Sequence, residues 1–187
     1  DGHLGGNQLE RDACKNGVEE LLAIVSSHKE IGRVFIFTRG PIYITGTEPL
    51  TGNKPLTGGN IIPIMEFANS AQLFIDRLSK SGKSVFYITE NPELNYSVES
   101  CLSRPFKSVV RNCSVAKNVV LQRQSDYLNA FNNLKNVTVI DSLRAFCPQN
   151  DCIVFDGTGS LLYADDDHLS VAGSRFQLNQ LLMPFLE

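Results

Sequence analysis

The chain has 187 residues, 42% of them apolar and 20% charged, with a formal net charge of −3. That length suffices for one domain with a sizeable core, and the composition is that of an ordinary folded protein. Lys and Arg are scattered, which argues against the basic stripe of a nucleic-acid binder, and no apolar run approaches the ~20 residues of a membrane-spanning helix.

In chain order, a helix is expected from about Asp12 to Ser27, where Val18, Leu21, Leu22 and Val25 recur at helical spacing. Arg33 to Thr38 is a continuous apolar run, expected of a strand buried on both faces. The stretch from Arg39 to Pro63, rich in Gly, Pro and Thr, reads as a long irregular loop. Ile64, Phe67, Ala68, Ala71, Phe74, Ile75 and Leu78 form a helical stripe that Ser81-Gly82-Lys83 ends. Ser84 to Thr89 reads as a second strand, Val115 to Leu134 as a helix and Asn136 to Ile140 as a third strand. Asp141 or Ser142 can cap a short helix after it. Two short apolar runs, 153–155 and 161–163, flank Asp156-Gly157-Thr158-Gly159-Ser160, a hairpin signal. Ser170 is a good N-cap for a last helix carrying Val171, Phe176, Leu178, Leu181, Leu182 and Phe185. The alternation predicts one α/β domain with a doubly wound parallel sheet and a small hairpin before the C-terminal helix. In such sheets ligands bind beyond the carboxyl ends of the strands, where Arg39–Tyr43, Thr89–Pro92 and Asp141 fall.

Of the five cysteines, Cys147 and Cys152 close a short loop suited to a local disulfide, and Cys101 and Cys113 flank a second short segment. No spacing is CxxC, which argues against zinc. Two disulfides and an oxidising compartment are expected; the competing reading is five free thiols buried as small hydrophobes. On the first reading Cys14 is left over.

Near the C-terminus, Asp165, Asp166 and Asp167 run into His168, one of three histidines. An Asp three residues before a His can fold back and accept a hydrogen bond from Nδ1, leaving Nε2 as a general base for a hydroxyl nucleophile. On spacing alone this pair competes with a solvated turn and with a metal site. Asp166 and Asp167 read as charges serving the helix start and solvent.

The stretch "DDDHLSVAG", Asp165 to Gly173, resembles the last segment of SGNH/GDSL hydrolases, Asp-x-x-His followed by a helix. It is most similar to the SGNH domain that follows the membrane part of acyltransferase family 3 proteins, which O-acylate bacterial surface polysaccharides. "SGKSVFYITENPE" with "CLSRP", "DSLRAFCPQNDC" and "VFDGTGSLLYADDDHLS" follow that branch in order, so the resemblance runs from about Cys14 to the C-terminus. It implies the three-layer SGNH-hydrolase or flavodoxin-like fold, with His168 as base and Asp165 as its orienter. It implies O-acyl transfer, acetyl above all, or ester hydrolysis on polysaccharides such as lipopolysaccharide, through a Ser-His-Asp mechanism with no cofactor and no metal. The partners implied are an acyl donor, a glycan acceptor and a fused membrane acyltransferase domain, not nucleic acid. The place implied is the periplasm or another extracytoplasmic compartment, tethered to the inner membrane through an N-terminal region. A non-catalytic glycan-binding or scaffolding domain attached to a membrane acyltransferase is the alternative.

The family's Gly-Asp-Ser nucleophile segment and Gly-x-Asn-Asp segment are both missing from this sequence. Asp1-Gly2-His3 looks faintly like the first but has no Ser. A first helix without the strand it would cross over from, together with the unpaired Cys14, leads to the expectation that residues 1–187 are one SGNH-like domain cut after its nucleophile segment. A naturally inactive domain is the other reading. Arg39 or a backbone N–H near Gly40 could bind an oxyanion, against the plainer reading of loop charge and turn. Tyr43, Tyr87 and Phe106 could line a sugar cleft, with core packing the rival fate of the last two. Thr51-Gly52-Asn53 and Gly58-Gly59-Asn60 read as plain loop, and His3 and His28 as surface residues. Of the sequons at Asn95, Asn112 and Asn136, the last falls on an expected buried strand.

Overall fold

The computed structural model of the protein describes residues 8–49, 54–55, 61–103, 105–106 and 113–186. Asp1–His3, both Gly-Asn segments and Asn112 lie outside the described residues. In chain order the elements are α1 (Gln8–Ser27), β1 (Arg33–Phe37), α2 (Gly40–Thr45), β2 (Thr47–Glu48), β3 (Lys54–Pro55), α3 (Ile64–Lys80), β4 (Ser84–Ile88), β5 (Ser114–Ala116), α4 (Lys117–Ala130), β6 (Thr138–Ile140), α5 (Leu143–Phe146), β7 (Asp151–Ile153) and α6 (Val171–Gln177). The chain divides into two compact units: Asp1–Thr47, Pro55–Thr89 and Gln124–Ile140 in one, Glu48–Lys54, Glu90–Arg123 and Asp141–Glu187 in the other.

The first unit is built on a parallel sheet in the order β1-β4-β6, with Arg33 beside Ser84 and Phe86 beside Thr138. Register puts Val34, Ile36, Val85 and Tyr87 on one face, because side chains alternate along a strand. Leu22 of α1 with Ile75 and Leu78 of α3 buries Val85 there. Tyr127 of α4 and Phe131 bury Tyr87, with Phe67 edge-on to both rings. Each such side chain removed from water contributes about 1.5–3 kcal/mol.

Strand order follows chain order, so both crossovers advance the same way and α3 and α4 pack on the same face. On the opposite face Phe35 stacks on Phe86 at 4.8 Å, and Phe37 is 53% exposed. The β1 run is thus not buried on both faces as its composition suggests. The α/β parallel-sheet class is what the structure shows.

Three elements differ from expectation for tertiary reasons. The helix expected from Val115 begins at Lys117, because β5 pairs antiparallel with β7, Val115 opposite Cys152. That pairing also takes Asp151–Ile153 out of the hairpin. What remains of the hairpin is a bridge between Phe155 and Leu161 and a hydrogen bond from Leu162 N to Val154 O at 2.9 Å. The expected loop from Arg39 opens with α2, whose first residue, Gly40, lies against the Tyr127 ring.

Both expected disulfides are present, Cys101–Cys113 and Cys147–Cys152, and Cys14 is free and exposed. Phe106 is fully exposed rather than in the core, midway along the loop that the first disulfide closes. Asn136 precedes β6 instead of lying in it; it is exposed, at φ 59°, and its amide donates to Asp76 Oδ1 at 3.3 Å. His28 is exposed and bonds Glu30.

Candidate active site

The acidic turn belongs to the second unit and precedes α6. Asp165 uses its two carboxylate oxygens differently. Oδ1 accepts the amide N–H groups of Asp167 at 3.0 Å and His168 at 2.7 Å, which closes the turn. Oδ2 lies 2.9 Å from His168 Nδ1. The turn is tied below by Ala164 N donating to His168 O at 2.8 Å and by a bridge between Tyr163 and Leu169. The His168 side chain is 71% exposed. With a proton on Nδ1 shared toward Asp165, Nε2 is the basic nitrogen.

Asp167 does not serve solvent as expected. Its side chain is only 7% exposed and its Oδ1 lies 3.2 Å from His168 Nδ1, so two carboxylates face one ring nitrogen. The turn folds it inward because Asp167 O accepts from Asn91 Nδ2 at 3.0 Å, while Asp166 O accepts from Leu94 N at 2.7 Å. Both donors belong to the buried segment 90–94 that follows β4 in the chain. Tyr163 OH donates to Pro92 O at 2.9 Å, and the Arg123 guanidinium pairs with the Glu93 carboxylate. Polar residues directly after an apolar strand were the visible signal for this segment. Nothing local in the sequence indicated that it would hold the acidic turn.

Partial burial pushes the Asp165 carboxyl up, but the His168 and Asp167 amides and the imidazole outweigh it and hold its pKa down to about 2. It is therefore an anion at neutral pH. Burial drives the Tyr163 phenol far up, so it acts as a neutral donor. Ser170 caps α6: its hydroxyl accepts from Gly173 N at 3.0 Å and donates to Leu161 O at 2.6 Å, which commits it to structure. Ligand atoms of Asp165, Asp167 and His168 lie within 4.8 Å of one another, so the same set also has the spacing of a cation site.

Arg39, Gly40 and Tyr43 belong to the first unit, at the start of α2. Gly40 has a packing reason: a Cβ there would meet the Tyr127 ring at 1.7 Å. Tyr43 is half-buried and its carbonyl accepts from Ile62 N at 2.8 Å.

A family model for the SGNH domain fused to AT3 domains matches residues 3–182. The chain belongs to this family. No curated protein and no solved structure matches it. Membership places this SGNH domain among acyl-transfer and hydrolase domains whose partner domain is an AT3 membrane acyltransferase. No helix among the described residues is long and apolar enough to cross a membrane. The two disulfides fit an extracytoplasmic setting.

Proposed function

We propose that this SGNH domain supplies the base and its orienting carboxylate to a serine acyl-transfer site. The reaction is transfer of an acyl group, acetyl in the simplest case, to or from a hydroxyl of a cell-surface polysaccharide. The observation that carries the reading is the Asp165 Oδ2–His168 Nδ1 contact at 2.9 Å on an exposed ring. The nucleophile is a Ser outside these 187 residues, which contain no Gly-Asp-Ser. The domain is tethered outside the cytoplasm by its AT3 partner.

In the first half-reaction the serine hydroxyl attacks the acyl carbonyl and its proton passes to His168 Nε2. Asp165 stabilises the resulting imidazolium, and the departing alkoxide takes that proton as the carbon–oxygen bond breaks. In the second, water or a sugar hydroxyl gives its proton to Nε2 and attacks the acyl-enzyme, and the imidazolium returns that proton to the serine oxygen as its bond to the acyl carbon breaks. Exclusion of water decides between esterase and transferase.

The test is hydrolysis of p-nitrophenyl acetate by the full-length protein. His168→Ala is expected to lower kcat by about 10³-fold, and Asp165→Asn by about 10²–10⁴-fold. Activity that survives both changes overturns the reading. So does activity that a chelator abolishes and a divalent ion restores, because the turn would then be a metal centre.

A further inference from the structure

The direction of the His168 ring depends on the Asp167–His168 peptide unit, whose N–H end donates to Asp165 Oδ1 at 2.7 Å and whose carbonyl end is held from outside the turn. Nδ1 lies 2.9 Å from Asp165 Oδ2 and 3.2 Å from Asp167 Oδ1. Rotation of the Asp167 peptide would move the second carboxylate and the His168 Cα together. The His168 N–H on Asp165 Oδ1 and two consecutive carbonyls resist that rotation. Asp166 O is held by a backbone donor, Leu94 N, but Asp167 O is held by a side chain, Asn91 Nδ2 at 3.0 Å. Asn91 is itself 9% exposed. Its amide nitrogen also lies 3.5 Å from Pro92 O, the carbonyl to which the Tyr163 phenol, 1% exposed, donates at 2.9 Å. Arg123 fixes the next turn of chain through Glu93.

We infer that Asn91 is a positioning residue for His168, acting through the Asp167 peptide to keep the ring in the Nδ1–H tautomer facing Asp165. The inference rests on the reading of His168 as the base. An asparagine just beyond a parallel strand invites a role as oxyanion donor. Here its donor nitrogen is turned to the Asp167 carbonyl, and a carbonyl acceptor requires the NH₂ end of the amide at that position. Losing the donor takes a hydrogen bond from a buried carbonyl, and rotation of that peptide toward water would restore it.

The experiment uses the full-length protein with three substitutions. Asn91→Leu keeps the volume without a donor. Asn91→Asp sets a carboxylate oxygen against the carbonyl. Tyr163→Phe frees the Pro92 carbonyl next to Asn91 and keeps the backbone bridge from Tyr163 to Leu169. Asn91→Leu is expected to lower kcat about 10-fold through misorientation, and to leave KM within about twofold. Asn91→Asp should lower kcat further and Tyr163→Phe less. Independently of activity, the ¹⁵N-histidine spectrum of neutral His168, assigned with His168→Ala, should show the Nδ1–H form in the parent and a mixture with Nε2–H in the variants. Melting temperatures that fall while tautomer and kcat stay at parent values overturn the inference, since Asn91 would then be merely structural. If His168→Ala retains activity, the base reading fails instead, and the tautomer measurement still decides whether Asn91 sets the ring.

Discussion

Both compact units bury an apolar core, Phe146, Val154, Leu162 and Tyr163 among others in the second, but they differ in the polar and covalent ties added to it. The first rests on apolar contact: Leu22, Ile75, Leu78 and Val85 in one cluster, Tyr87, Tyr127 and Phe131 in another. The second, which carries the Asp–His turn, holds both disulfides, the Glu93–Arg123 pair and a set of buried polar side chains, among them Asn91, Ser142, Asp167 and Gln177. Gln177 Nε2 donates to Ser142 Oγ at 3.2 Å, joining α6 to the start of α5. Hydrophobic burial is non-directional and tolerates small shifts, whereas hydrogen bonds weaken steeply away from their preferred geometry. On the proposed reading, a unit that aims an imidazole gains from directional contacts, and its buried groups become intolerant of change.

The largest expected effect tests that intolerance. Arg123→Ala removes the cation beside Glu93, whose side chain is 1% exposed, and should cost about 3–5 kcal/mol in urea unfolding. Replacing both partners, Arg123→Met with Glu93→Leu, should recover most of it. A single-variant cost under about 1 kcal/mol would mean that the second unit does not depend on its polar frame.

Two glycines, one in each unit, sharpen the comparison. A Cβ on Gly173 would meet the backbone oxygen of Leu162 at 1.9 Å; on Gly40 it would meet the Tyr127 ring at 1.7 Å. A carbonyl in a hairpin cannot step aside, but a ring in an apolar cluster can repack. Gly173→Ala is expected to cost about 3 kcal/mol, and Gly40→Ala about 1–2 kcal/mol. Equal melting-temperature losses would remove the distinction.

The smallest effect is on pH dependence. The Asp165 pKa of about 2 in the folded chain lies below its unfolded value of about 3.9. Its contribution is thus complete above the unfolded value and is lost as pH falls from about 4 through 2. Because its side chain is 51% exposed, solvent screening limits the contribution to about 1 kcal/mol or less. Asp165→Asn should be slightly less stable than the parent at pH 6, and the two should converge near pH 2. A gap that persists at low pH would show that the turn is held by something other than this charge.

Much of the site was legible because it is local. Asp165 and His168 are three residues apart, and a turn of that length closes through its own amides whatever surrounds it. Ser170 was legible as a cap for the same reason, since its acceptor role spans one helical turn. Asp167 was misread because its burial depends on Asn91, 76 residues away in the chain. The start of α4 was misread because β7 captures Ser114–Ala116, and the spacing of apolar residues within 115–134 carries no trace of that partner.

The sequence by itself determined the α/β alternation, the two cysteine pairs and the Asp165–His168 contact, each set by short-range spacing or by a periodic apolar stripe. Only the tertiary structure decided which sheet face the helices cover, that Asp167 turns inward to a second contact with the ring, and that Asn91 holds its carbonyl. Those outcomes depend on desolvation and on partners distant in the chain, and a buried carbonyl takes whichever donor the fold delivers to it.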